Sequence, residues 1–139
     1  MISSGTFKRG AKSGIDTLIE LTKVIVPVCM LVTILKHTAI LDIIAKVCSP
    51  AMKAFGLPGE AAIVLVLGNL LNIYAAIGAM TSITLTAKQA AIIALMLSFS
   101  HNLIVETAVS KKIGVGFFFV LTLRLGLAAA AGVILNLVL

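Results

Sequence analysis

From Val115 to Leu139 the chain carries a single charged residue, Arg124. A helical run of about 20 apolar residues is enough to cross the hydrocarbon core of a bilayer. At that depth the backbone must satisfy its own hydrogen bonds, which leaves helices and closed barrels as spanning structures. The stretch IVPVCMLVTIL, residues 25–35, is of the same kind. Composition agrees. The chain is 60% apolar and 12% charged, against about half and about a quarter in soluble domains. Its mean hydropathy is +1.20. An ordinary soluble domain, a disordered tail and a disulfide-built secreted module are excluded. At about 20 residues per span, a chain of 139 residues has room for roughly four or five spans. The expected fold class is all-α and polytopic.

Net charge is +6. The basic residues gather at the ends of apolar segments, and with one Tyr and no Trp there is little surface for stacking bases. Lipid headgroups explain the charge better than nucleic acid. Cys29 and Cys48 have neither metal-ligand nor redox spacing and read as small core residues. Lys8, Arg9 and Lys12 precede an apolar run that itself contains Asp16, Glu20 and Lys23. That run lacks a small-x-small cleavage site, so the N-terminus is expected to be retained rather than removed as a signal.

Along the chain, Ser13 followed by Asp16 predicts the start of the first helix, which runs to Lys36 and leaves residues 1–13 as a basic tail. Asp16, Glu20, Lys23 and Pro27 fall on one face of it. That face either is solvated at the interface or borders a cavity. Residues 38–60 predict a helix too short to span, lying in the interface plane or covering another helix, with Pro50 and Pro58 each placed to open a new helix. Residues 59–85 are apolar but interrupted by Gly68, Asn69 and Asn72. They form either one span with a polar centre or a re-entrant hairpin of two half-helices, each about 15 Å long. Thr86-Ala87-Lys88-Gln89 is a capping box that starts a long helix reaching about Ser110. In the last helix, Gly126 with Ala130 and Ala128 with Gly132 are small-x-x-x-small pairs suited to close helix approach.

The residues that could carry chemistry lie in SFSHNLIVETAV, residues 98–109. On one long helix, Ser98, Asn102 and Glu106 recur every four residues with His101 beside them, all on one face. Polar groups within a span usually face the bundle interior or a cavity. Such a face either ties helices together by hydrogen bonds or reads the hydroxyls and amides of a solute. It lacks the ligands of a metal site and makes no nucleophile–base pair. Arg124 needs a counter-charge, with Glu106, Glu60 and Glu20 as candidates. No phosphate-binding, dinucleotide, zinc-protease or CxxC motif occurs, so neither an enzyme nor a cofactor is expected.

Four stretches together, IVPVCMLVTILK (25–36), SPAMKAFGLPGEAA (49–62), GNLLNIYAAIGAM (68–80) and SFSHNLIVETAV (98–109), resemble the nucleoside-recognition, or Gate, domain family. That domain is similar to the spore maturation membrane proteins and to parts of concentrative nucleoside and ferrous iron transporters. The resemblance covers most of residues 14–132 and implies a single Gate-type domain in the bacterial cytoplasmic (inner) membrane. It implies about three full spans, an interfacial helix and a re-entrant hairpin at residues 59–85. It also implies a midplane site for a small polar solute, nucleosides among the candidates. Carried onto this chain, Asn69 and Asn72 fall in the hairpin with Glu60, and His101, Asn102 and Glu106 in the helix that follows, beside Ser98. Nucleoside transporters carry two such repeats, and this chain carries one. It is therefore expected to find its other half in a second copy, an antiparallel homodimer being one arrangement, or in a related Gate-type chain. Charge leaves the orientation open. With a hairpin, Lys8, Arg9, Lys12, Lys111 and Lys112 lie on one side, against Lys36, Lys46, Lys53 and Lys88 on the other. The competing expectation is a non-transporting scaffold or assembly subunit of the spore-maturation kind.

Overall fold

A computed structural model describes residues 4–139, and those residues are all helix and turn. Among the described residues there are seven helices: α1 (Ser4–Lys36), α2 (Ala39–Ala54), α3 (Ala61–Leu70), α4 (Ile73–Met80), α5 (Ala87–Ser100), α6 (Leu103–Lys112) and α7 (Phe117–Val138). Three stretches are long and apolar enough to cross a membrane: Gly5–Leu35, Ala87–Lys112 across the α5–α6 junction, and Phe117–Val138.

α1 has 33 residues and is about 50 Å long at 1.5 Å per residue. It begins at Ser4 rather than Ser13. Ser13 is interior, and its carbonyl accepts from Thr17 Oγ1 at 2.9 Å. Nothing between the two positions stops a helix, because isolated glycines such as Gly10 and Gly14 weaken one without ending it. The basic run at Lys8, Arg9 and Lys12 is therefore helical and exposed. Residues 1–3 of the expected tail lie outside the described residues.

α2 carries three stripes. Leu41 and Met52 are buried, Ile40, Ile43 and Val47 are exposed and apolar, and Asp42, Lys46 and Lys53 are exposed and charged. Pro50 opens no new helix and sits inside α2. It removes one backbone donor near the helix end, which a helix already ordered on both sides can absorb. The turn that follows needs Gly56 at φ +67 and Gly59, where a Cβ would overlap the Ala45 carbonyl.

Residues 59–85 are two helices, not one. α3 and α4 have 10 and 8 residues, about 15 and 12 Å at helical rise, each well short of a span. The chain breaks at Leu71 and Asn72 and folds back, so that a Cβ on Gly68 would lie 3.0 Å from the Ala76 Cβ. Asn72 drives the restart: its Oδ1 accepts from Ala75 N at 2.9 Å as the α4 cap.

The core forms where α5 meets this hairpin and α7. Val64, Ala76, Ile92 and Ile93 are fully buried. α5 starts at the Thr86–Gln89 capping box. Against it lie Ala128 and Gly132 of α7, and a Cβ on Gly132 would meet Met96 Sδ at 2.7 Å. This small pair serves packing within the chain. Gly126 and Ala130, the other pair, are exposed. α1 joins through α4, where a Cβ on Gly78 would stand 2.9 Å from the Ile25 carbonyl oxygen. Ser82 Oγ donates to the Cys29 carbonyl at 3.2 Å across the same contact.

Candidate functional site

The long helix expected from residue 86 to about 110 is interrupted at its middle. α5 ends at Ser100, and Asn102 adopts the left-handed conformation at φ 52 before α6 begins. Asn is one of the few residues besides Gly that takes this conformation readily. Its backbone N–H donates to the Gly68 carbonyl at 3.0 Å. That carbonyl lies in the last turn of α3, next to the hairpin's own break, and has no donor within its helix. The two broken helices are thereby joined break to break. Meanwhile Gln89 Nε2 reaches the Gly56 carbonyl at 3.4 Å and Lys88 Nζ the Asn136 carbonyl at 2.9 Å. The α5 N-terminus, the hairpin entry and the α7 C-terminus thus share one end of the bundle. The hairpin tip meets the middle of the α5–α6 run.

Arg124, from the middle of α7, closes the junction. Its Nε donates to the Phe99 carbonyl at 2.8 Å and its Nη2 to the His101 carbonyl at 3.1 Å. Its Nη1 lies 2.6 Å from Glu106 Oε2. One guanidinium fork thus serves two carbonyls at the negative end of α5 and a carboxylate in the first turn of α6. His101 Nδ1 is 2.8 Å from the Leu97 carbonyl, which requires the hydrogen on that nitrogen. Its Nε2 is 3.3 Å from Glu106 Oε1. The Arg124 side chain is 15% exposed and that of Glu106 43%. The cluster is therefore lined by protein on one side and open on the other.

The residues singled out by sequence are distributed unevenly. His101, Asn102 and Glu106 meet Arg124 at the α5–α6 break. Because the break turns the chain, they do not form the continuous stripe that a straight helix would give. Ser98 lies apart. Its Oγ donates back to the Ala94 carbonyl at 2.8 Å, and it lines an apolar cavity of about 270 Å³ between α4 and α5, with Ile77 and Met80 opposite. Asn72 spends its acceptor on the α4 cap. Asn69 sits next to Gly68 at the junction, with its Oδ1 buried and without a hydrogen-bond partner. Of the three acids considered for Arg124, only Glu106 pairs with it. Glu60 is the N-cap residue of α3 without a side-chain capping bond. Glu20 is exposed on α1.

Sequence reasoning missed the carbonyls of Phe99 and His101, because a carbonyl becomes free only once a helix ends. It also missed Thr107, fully buried with its hydroxyl unpartnered. The pair His101-Asn102 was the available signal, Asn being a residue that ends helices in the left-handed conformation. Among the described residues, no cluster of three or more His, Cys, Asp or Glu is placed to hold a metal ion.

Residues 18–117, more than two thirds of the chain, match the family described as Gate, nucleoside recognition. The chain is 46% identical over 132 residues to the uncharacterized membrane protein YvoD of Bacillus subtilis (strain 168), a match covering 95% of this chain and 42% of that protein. The chain thus spans less than half the length of this relative. No solved structure matches it. The all-helical architecture, the three candidate spans and these matches together make the chain a membrane protein of the Gate nucleoside-recognition domain family.

Proposed function

We propose that the chain is one half of a membrane transport unit that binds a small polar solute where its two broken helices cross. The observation that carries this is the Asn102 N–H to Gly68 carbonyl bond, which brings two helix breaks together beside the unpartnered Asn69 Oδ1. Irregular backbone at membrane depth is tolerated where protein or a cavity surrounds it, and broken helices of this kind form solute sites in transporters. In this reading α3 and α4 re-enter the bacterial cytoplasmic membrane from one side, and α2 lies along its surface. Helix ends and the Glu106 carboxylate offer donors and acceptors to the solute, and nucleosides are the first class to test. A second copy of the chain or a related Gate-type chain supplies the other half, since transporter sites sit between paired repeats.

A second reading is favoured by one observation. Arg124 is already satisfied by Glu106 and by the carbonyls of Phe99 and His101, as expected if these groups only lock helices in a non-transporting scaffold. The test is a thermal-shift screen of the purified protein against nucleosides, amino acids, organic anions and metal ions. A ligand at about 100 times its Kd stabilises by about 2.7 kcal/mol. The transport reading expects one class to do so and Glu106→Gln to abolish the shift while the protein stays folded. If no class stabilises the wild-type protein, the scaffold reading stands.

A further inference from the structure

We propose that the outward face of α1, centred on Glu20 and Lys23, is the surface on which a second copy of this chain docks. The proposal rests on the half-unit part of the function above, and not on its solute site.

Ile25, Cys29 and Val32 turn toward α4 and the core. At 3.6 residues per turn, Asp16, Glu20 and Lys23 then point to the opposite side, and all three are exposed. None forms an ion pair with any described residue, the only such pairs being those of Glu106. Yet Glu20 and Lys23 lie within a helix long and apolar enough to span. Ionised side chains on such helices are costly against lipid and are nearly always turned toward protein or a water-filled cavity. α1 turns these away from every other helix of its own chain. A shallow concavity of about 360 Å³ adjoins this face, lined by Ile19, Thr22, Lys23, Val26 and Pro27. It offers side chains of another helix somewhere to seat.

The charge pattern names the occupant. Glu20 and Lys23 have opposite signs and stand one turn apart, about 4.5 Å along the axis. A copy running antiparallel, related by a two-fold axis perpendicular to α1, presents the same pair in reverse order, so each Glu20 meets the other copy's Lys23. A partner of one sign would satisfy only half of the face.

The experiment co-expresses two differently tagged copies and measures their co-purification from detergent-solubilised membranes. Wild-type copies are expected to co-purify. Glu20→Lys in both copies, or Lys23→Glu in both, is expected to cut recovery roughly tenfold, the scale of interhelical polar contacts in membranes. Co-expressing a Glu20→Lys copy with a Lys23→Glu copy is expected to restore it, since both intermolecular pairs are remade. That rescue also shows that neither variant is merely misfolded, and pairing within one helix could not produce it. If the single changes leave recovery unaltered, or the mixed pair fails to rescue, this face is the wrong one while the half-unit reading survives. If wild-type copies never co-purify, the second copy falls as the partner in both readings.

Discussion

Arg124 shows how one residue can be over-determined at a helix break. Its guanidinium meets the carbonyls of Phe99 and His101 and the Glu106 carboxylate. Removing it leaves two carbonyls and a carboxylate without their donor. Hydrogen bonds to charged groups are worth about 1.5–3 kcal/mol each in such settings. Arg124→Gln is expected to destabilise the protein by about 2–3 kcal/mol in reversible unfolding from micelles. Arg124→Lys should fall between, because an ammonium keeps the charge but loses the planar fork. Adding Glu106→Gln to Arg124→Gln should cost less than the sum of the single changes, as expected for groups in one network. Asn102 carries a different constraint. Its φ of 52 costs an ordinary L-residue about 1–2 kcal/mol. Asn102→Gly should therefore match the wild type in the same unfolding measurement, and Asn102→Val should lose at least about 1 kcal/mol. A loss for both would mean that the Asn102 side chain, and not its backbone, matters to the fold.

At the scale of elements, what matters is which helix approaches which, and small residues decide that. Gly78 lets the α4 backbone come against α1, where a Cβ would lie 2.9 Å from a backbone oxygen that cannot swing away. Gly126 on α7 has nothing within 4 Å of its Cβ position. Gly78→Leu is thus expected to cost about 1–3 kcal/mol by overpacking and to expose α1 to protease. Gly126→Leu should stay within about 0.5 kcal/mol of the wild type. Equal losses would show that the α1–α4 contact does not set the outcome. Sequence spacing made both small-x-x-x-small pairs of α7 equivalent. The fold separates them by placing Met96 and Phe55 over Gly132 and nothing over Gly126. The α5 start was legible because a capping box is a local signal, satisfied by residues three apart. The α5–α6 break was not, because its stabilising bond comes from Gly68, far away in sequence.

For the whole molecule, the bundle puts Lys46, Lys53 and Lys88 toward one end and Lys8, Arg9, Lys12, Lys111 and Lys112 toward the other. Basic residues stand at both ends, which gives orientation little to act on. Reporter fusions at Leu139 in intact cells are expected to give signal from both sides of the membrane. A single strong orientation would rule out an antiparallel homodimer. The sequence alone determined that the chain is a helical membrane protein, because apolar run length and charge sparsity are local quantities that the bilayer reads directly. It also marked Gly68–Asn72 as a place where a break is tolerable, because Gly and Asn allow one locally, while leaving the break at Asn102 unread. Only the tertiary structure decided that the two breaks meet, that Arg124 chooses Glu106 over Glu20 and Glu60, and that Asn69 is left with a buried unpartnered acceptor. Those outcomes depend on which carbonyls and charges come within about 3 Å of one another, a distance that spacing along a chain does not encode.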